Sequence, residues 1–279
     1  MTSQIEYLTI GHIANDVEPG GDPTHYKVGG TVAYSGQTAY ALGLSTAIVT
    51  SAAADFDFDK AVAGITVHNI VAPETTVFEN VYKESGRYQI IHHQAAKILA
   101  EHIPPAWQKS PIVHLAPIAN EVEPAMIHLF PNSLVGLTPQ GWLRRWDETG
   151  RVLQRDWCEA VQVLPQADVV ILSRQDLLNE SMLTDYSQWS NLLVVTEGAR
   201  GCTVYLNNEA HHFAAPPATE IEPTGAGDIF AAAFLVHYQQ TEHNPWAAAQ
   251  FANKIAASTV SQTSLEAKVA QVKQQLLRN

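Results

Sequence analysis

Apolar runs and amphipathic stretches alternate along most of the chain. Six runs read as strands: "IEYLTIGHI", "TAIVTS", "PIVHLAP", "NSLVGLTP", "ADVVILS" and "NLLVVTEG". Their near-continuous apolarity implies burial on both faces, and the helical stretches between them supply the cover. The rhythm therefore predicts an α/β fold with a mostly parallel central sheet flanked by helices. The segment "TTVFENVYKESGRYQIIHHQ" departs from it. It alternates about the turn signal Glu84-Ser85-Gly86, which predicts an antiparallel hairpin too polar on one face for the core, hence a flap or lid. The last third reads as three helices: "GAGDIFAAAFLVHYQQ", "PWAAAQFANKIAASTVSQ" with Pro245 near its first turn, and "LEAKVAQVKQQLLRN". No repeat, low-complexity tract or long linker interrupts the chain. A single domain over 1–279 is expected, with a small lid formed by about 17–30 and 74–93.

One stretch tests this picture. Between Lys27 and Asp55 no charge occurs for 27 residues, a length that could span a membrane. The stretch is rich in Gly, Ser, Thr and Gln, however, and Gly43 divides it into a helix-like half, "TVAYSGQTAYAL", and a strand-like half, "STAIVTSA". Such a pair belongs inside an α/β protein. Of the 279 residues 46% are hydrophobic, enough for a sizeable core. The net charge of −12 gives no general attraction to nucleic acid or an anionic membrane. Cys158 and Cys202 lie far apart, outside any paired-ligand spacing, which fits a reducing cytoplasm and two buried fillers. The opening "MTSQIEYLTI" lacks the basic flank and apolar core of an export signal.

Chemistry concentrates at "EPTGAGDIFAAAFLVHY", where Gly225, Ala226, Gly227 and Asp228 precede an apolar helix. An ordinary helix start accounts for glycines in a turn and an Asp accepting from unpaired backbone N–H groups. A site does so equally well: bare amides and the positive end of the helix dipole bind anions, and an acid kept beside them suits proton abstraction from an attacking hydroxyl. Other constellations are weaker. "DFDFD" (Asp55, Asp57, Asp59) reads as a solvated acidic loop, and His92-His93 and His211-His212 point to opposite strand faces rather than at one metal. The chain has no G-x-x-x-x-G-K-[ST], no G-x-G-x-x-G after its first strand, and no G-x-S-x-G.

These pieces together resemble the ribokinase-like, or PfkB-type, carbohydrate kinase family, over nearly the whole chain. "EPTGAGD" is similar to the family signature D-T-x-G-A-G-D, with Glu222-Pro223 in place of the first Asp-Thr. The likeness implies a catalytic set of Gly225, Ala226 and Gly227 as an anion hole and Asp228 as base. "VGGTVAYSGQTAYALG" resembles the double-glycine signature that closes on the substrate through Gly29 and Gly30, with Tyr34 where relatives carry Asn. Asp16 stands where relatives bind sugar hydroxyls. "VVTEGARGCTVY" resembles the strand and glycine turn beside the nucleotide phosphates, implying Thr196, Gly198 and Gly201, with Thr224 in the signature and Asn253 toward adenine. Ser173-x-x-Asp176 replaces the family's N-x-x-E, so Asp176 would hold magnesium through water. The hairpin resembles the lid of inositol-kinase-like members, implying contacts from Glu79, Asn80, Arg87 and Gln89, and "LTPQGWLR" has the same flavour, with Gln140 and Arg144 at the mouth of the site.

The resemblance thus implies a ribokinase-like three-layer fold with a small β lid, and a cytoplasmic kinase using ATP and Mg2+. Its partner would be a small sugar or polyol, inositol-like compounds included, rather than nucleic acid or membrane, and the chain would act as a monomer or homodimer. A nucleoside or vitamin-precursor kinase of the same family, with Tyr34 stacking a base, is the alternative within enzymes. A catalytically silent ligand-binding or regulatory relative is the alternative outside them.

Overall fold

The apolar runs converge on one sheet. The computed structural model describes residues 4–19, 26–83 and 86–277. Its first half comprises β1 (Tyr7–Ile10), β2 (Ala14–Val17), β3 (Lys27–Gly29), α1 (Thr31–Ala41), β4 (Thr46–Ala53), α2 (Phe58–Ala61), β5 (Thr66–Ala72), β6 (Thr76–Lys83), β7 (Gly86–His93), β8 (Ile112–Leu115) and β9 (Leu134–Leu137). Next come β10 (Arg144–Trp146), β11 (Val152–Gln154), α3 (Ala160–Val163), β12 (Val169–Ser173), α4 (Glu180–Trp189), β13 (Leu193–Thr196), β14 (Cys202–Leu206) and β15 (Glu209–Phe213). Three helices finish the fold, α5 (Ala226–Gln240), α6 (Pro245–Thr259) and α7 (Leu265–Leu276).

The main sheet runs β15-β14-β13-β12-β9-β8-β1-β4-β5. It is parallel from β13 to β5, and only β14 and β15 run antiparallel. Alternate residues of each strand enter separate cores. On β12, Val169 and Ile171 pack toward α1, α5, α6 and α7, while Val170 and Leu172 pack toward α3, α4 and the Trp142–Trp157 pair. Two covered faces make three layers, as the strand rhythm predicted. Helix α5 is buried without interruption from Ile229 to Val236, because α1, α6 and the sheet enclose it.

A second sheet, β3-β2-β6-β7, forms the lid, with the predicted hairpin as β6 and β7. Residues 20–25 and 84–85 of the expected lid lie outside the described residues. Its root is fixed by the buried Glu121 carboxylate, which accepts from the amides of His12 (2.8 Å), Ile118 (2.9 Å) and Ala119 (2.7 Å). His12 adds a contact between its Nδ1 and Thr76 Oγ1 at 2.8 Å.

Two expectations need adjustment. Cys202 is buried, but Cys158 is exposed. The β14–β15 hairpin was not among the expected strands, although Asn207 and Asn208, at φ 53 and 64, supply the left-handed pair that a two-residue hairpin turn needs. Asp57 of the acidic run caps α2, accepting from Lys60 N at 3.0 Å, and among the described residues no group of three His, Cys, Asp or Glu could hold a metal. No helix among them is long and apolar enough to cross a membrane.

Candidate active site

Two helices begin at the same point in space, and both begin on glycine. Gly30 at φ 88 precedes α1 and Gly225 at φ 80 precedes α5; neither start has a side-chain cap. Both positions favour glycine for their backbone alone. Thr31, the first residue of α1, donates its hydroxyl to Asp228 Oδ1 at 2.9 Å. One turn on, the Tyr34 ring packs so tightly on Gly225 that a Cβ there would lie 2.2 Å from Tyr34 Cδ1. Tyr34 is 6% exposed, so its ring is a packing element and not a free stacking platform.

Gly227 differs from these glycines. Its φ is ordinary, and a Cβ there would meet nothing within 4 Å. Neither backbone nor packing demands glycine, and a side chain would enter the cleft. Of the four amides at this helix start, Ala226 N donates to Pro223 O at 3.0 Å. Those of Gly225, Gly227 and Asp228 have no hydrogen-bond acceptor among the described residues. Of the amides expected to form an anion hole, Ala226's is thus engaged within the turn, whereas those of Gly225 and Gly227, with Asp228's own, are not.

Asp228 stands on the cleft floor with its pKa pushed up to about 6. Burial is the largest cause; the Thr31 hydroxyl and the Arg144 guanidinium oppose it, while Asp16 and Asp176 reinforce it. Asp176 is likewise raised by burial, against Arg144, the Ser173 amide at 3.1 Å and a hydrogen bond from Gln140. Glu222 is lowered: burial pulls it up, but the Thr224 hydrogen bonds, with Thr224 N at 3.0 Å, and the charges of Lys27 and Lys268 outweigh that pull.

The cleft has a volume of about 1030 Å³. Asp16, Gly30, Gln140 and Asp176 line it. Thr196, Gly198, Gly201, Thr224, Gly225, Ala226, Gly227, Asp228 and Asn253 continue around it. Two of the residues singled out from sequence, Gly29 and Asn80, sit differently from expectation. At Gly29 the space a Cβ would fill holds the Asp16 carboxylate, 2.4 Å away, so no ligand can use it. Asn80 is buried in the lid, accepting from Gln89 Nε2 at 2.9 Å, and Gln89 rather than Asn80 reaches the cleft. Asn253 is buried and donates to Phe213 O at 2.9 Å, and it lines the cleft as expected. Arg87 falls on β7, and its side chain lies outside the described part of the structure. Sequence reasoning missed Thr31, although its place directly after Gly29-Gly30 was a usable signal.

Comparison with known proteins matches this arrangement. The family described as pfkB family carbohydrate kinase matches residues 149–271, the span that holds the α5 start. That match covers the C-terminal part of the chain, and the fold over nearly its whole length is ribokinase-like. A cytidine kinase of Thermococcus kodakarensis is 23% identical over 251 residues, covering 85% of this chain and 89% of that protein. An inositol 3-kinase of Zea mays is 48% identical over 42 residues, 15% of this chain and 11% of that one. A solved pyrophosphate-dependent kinase in the ribokinase family, complexed with a pyrophosphate analog and myo-inositol, superposes with TM-score 0.80 at 20% identity, covering 95% of this chain and 99% of that one. The chain is accordingly a phosphotransferase acting on hydroxyl groups, a sugar or nucleoside kinase with the ribokinase-like fold.

The raised Asp228 fixes the sign of a stability effect. A buried acid with an elevated pKa costs the fold nothing while protonated, and its stability contribution is lost as pH rises from the ordinary value of 3.8 through about 6. Asp228→Asn keeps the Thr31 acceptor and removes the charge. Its thermal midpoint should match wild type near about pH 4 and exceed it near about pH 8, by up to about 3 kcal/mol in unfolding free energy. Calorimetry at both pH values checks this, and a variant less stable at the higher pH contradicts it.

Proposed function

We propose that the chain is an ATP-dependent kinase that transfers the γ-phosphoryl group to a hydroxyl of a small sugar or polyol, with inositol-like compounds foremost. The observation that carries the reading is Asp228 itself: a carboxylate with a pKa near neutrality, hydrogen-bonded by Thr31, beside three unengaged amides and an open Cβ position. As the acceptor oxygen attacks phosphorus, its O–H bond breaks and Asp228 takes the proton. The bond to the leaving nucleoside diphosphate breaks in the same transfer. The amides of Gly225, Gly227 and Asp228 lower the cost of charge on the transferring group, at roughly 3 kcal/mol each by analogy with other positioned donors.

A magnesium ion fits this cleft as one carried chiefly by donor phosphates. Asp176 is the second carboxylate near Asp228, and it would hold the ion through water. When bound, such an ion neutralises phosphate charge that otherwise repels Asp228. Arg144 supplies positive charge from within the protein, acting on both acids.

Both ends of the cleft bear on specificity. Beyond the amides, Ala215, Pro216, Pro217, Ala256, Ala257 and Val260 make an apolar wall. A base gains from that wall and bare pyrophosphate does not, which favours ATP as donor over the pyrophosphate of the inositol-bound neighbour. At the acceptor end Asp16 and Gln89 offer polar groups suited to hydroxyls. One face of Phe78 lies under Arg144 at 5.9 Å and one face of Tyr88 under Arg151 at 4.9 Å. With Tyr34 packed on Gly225 as well, the aromatic rings of this end are engaged, which favours a polyol over a nucleoside. Lid closure over the acceptor excludes water.

A coupled ADP-release assay over inositols, sugars and nucleosides, with ATP and pyrophosphate in parallel, should find turnover with ATP and a polyol. Asp228→Asn should keep the fold and donor binding and lower kcat by about 10²–10⁴-fold. Unchanged turnover in that variant rejects Asp228 as base, and no turnover across the panel favours a silent binding relative. Gly227→Val should leave stability near wild type, since its Cβ meets no protein atom, while weakening ATP binding measured by calorimetry. Unaltered affinity would remove the amide cradle from the account.

A further inference from the structure

Lys268, on α7, is 0% exposed, which is rare for a lysine unless its charge is satisfied. Its Nζ donates to Glu222 O at 2.6 Å and to Thr259 O at 3.1 Å. The two carbonyls belong to different segments, one in the turn that leads into α5 and one in the last residue of α6. The same junction carries two more ties, Ile221 N and Glu222 N to Val260 O, both at 2.9 Å. The Glu222 carboxylate then accepts from Thr224 N at 3.0 Å, directly before Gly225. Burial holds the lysine below its usual pKa, opposed by Glu222. The ammonium does not line the cleft.

We propose that Lys268 is a positioning residue for phosphoryl transfer: its buried ammonium fixes residues 221–224 against the end of α6 and so aims the α5 amides at the donor phosphate. The proposal rests on the reading of those amides as the phosphate cradle. The physical case is that of a fixed point. The open end of the cradle is set by where the chain enters Gly225, and only Pro223 and Thr224 lie between that point and the carbonyl held by the ammonium. Two carbonyls from separate segments converge on one donor, so losing it removes the side-chain tie between the turn and α6 and takes the ammonium from Glu222 O. Thr259 O keeps Gln262 N at 3.0 Å, and the turn keeps only its two backbone bonds to Val260 O. A displacement of about 1 Å at a reacting centre lowers turnover on the order of 100-fold. The cation also sits at the C-terminal end of α6, where its charge suits the helix dipole.

Lys268→Met and Lys268→Ala test this, with ATP and myo-inositol as probes and rates expressed per folded molecule. Lys268→Met should lose kcat by about 10–100-fold and bind ATP more weakly by calorimetry. Lys268→Ala should regain turnover when methylammonium or ethylammonium is added, whereas Lys268→Met, whose side chain fills the space, should not. Wild-type kcat per folded molecule in Lys268→Met, or indifference of Lys268→Ala to the amines, overturns the proposal. Failure of both variants to fold with or without amine assigns Lys268 to stability alone and also overturns it. The cradle reading fails separately, through Gly227→Val retaining full ATP affinity or wild type binding no ATP, and the latter result removes this proposal with it.

Discussion

The docking of the α1 start against the α5 start is the constraint on which the rest of this structure depends. Thr31 bonds to Asp228, and Tyr34 lies flush on Gly225, so neither helix can rotate or slide without breaking a hydrogen bond or driving a ring into backbone. Behind that contact α5 is buried along eight consecutive residues, which leaves it no soft direction in which to move. The layered core therefore does more than stabilise. It holds three amides and one carboxylate at fixed separation at the edge of an open cleft, the preorganisation that electrostatic catalysis requires.

Charge balance inside the cleft follows from the same geometry. Asp16, Asp176 and Asp228 share it, and a donor would bring further negative charge. Burial and the neighbouring acids raise Asp228, while Arg144 and Thr31 hold the shift in check. The result is an acid poised near the pH at which a base works best. In the proposed reaction, phosphate, metal and base would be coupled through electrostatics, with Arg144 as the protein's own share of the positive charge.

The layered α/β fold was legible because buried parallel strands announce themselves as apolar runs, and the α5 start was legible because its chemistry is local, four adjacent residues at one helix end. What escaped notice was nonlocal. Thr31 and Asp228 are 197 residues apart in sequence, so no spacing rule joins them. Lys268 reads as one more polar residue in a helical repeat until α6 and the Glu222 turn close over it. Gly29 shows the reverse error: a glycine that reads as room for substrate instead makes room for Asp16. Asn80 carried the right chemistry, but Gln89 engages it inside the lid.

The central claim is that Asp228 takes the acceptor's proton with a pKa set by its burial, and the pH dependence of kcat/KM for the acceptor at saturating ATP tests it most directly. The account predicts that the rate rises through a single ionisation near about pH 6 and then levels, with the midpoint displaced upward in Arg144→Gln, where the opposing cation is gone. A rate that stays flat from about pH 5 to about pH 8, or a midpoint unmoved by the loss of Arg144, would contradict it.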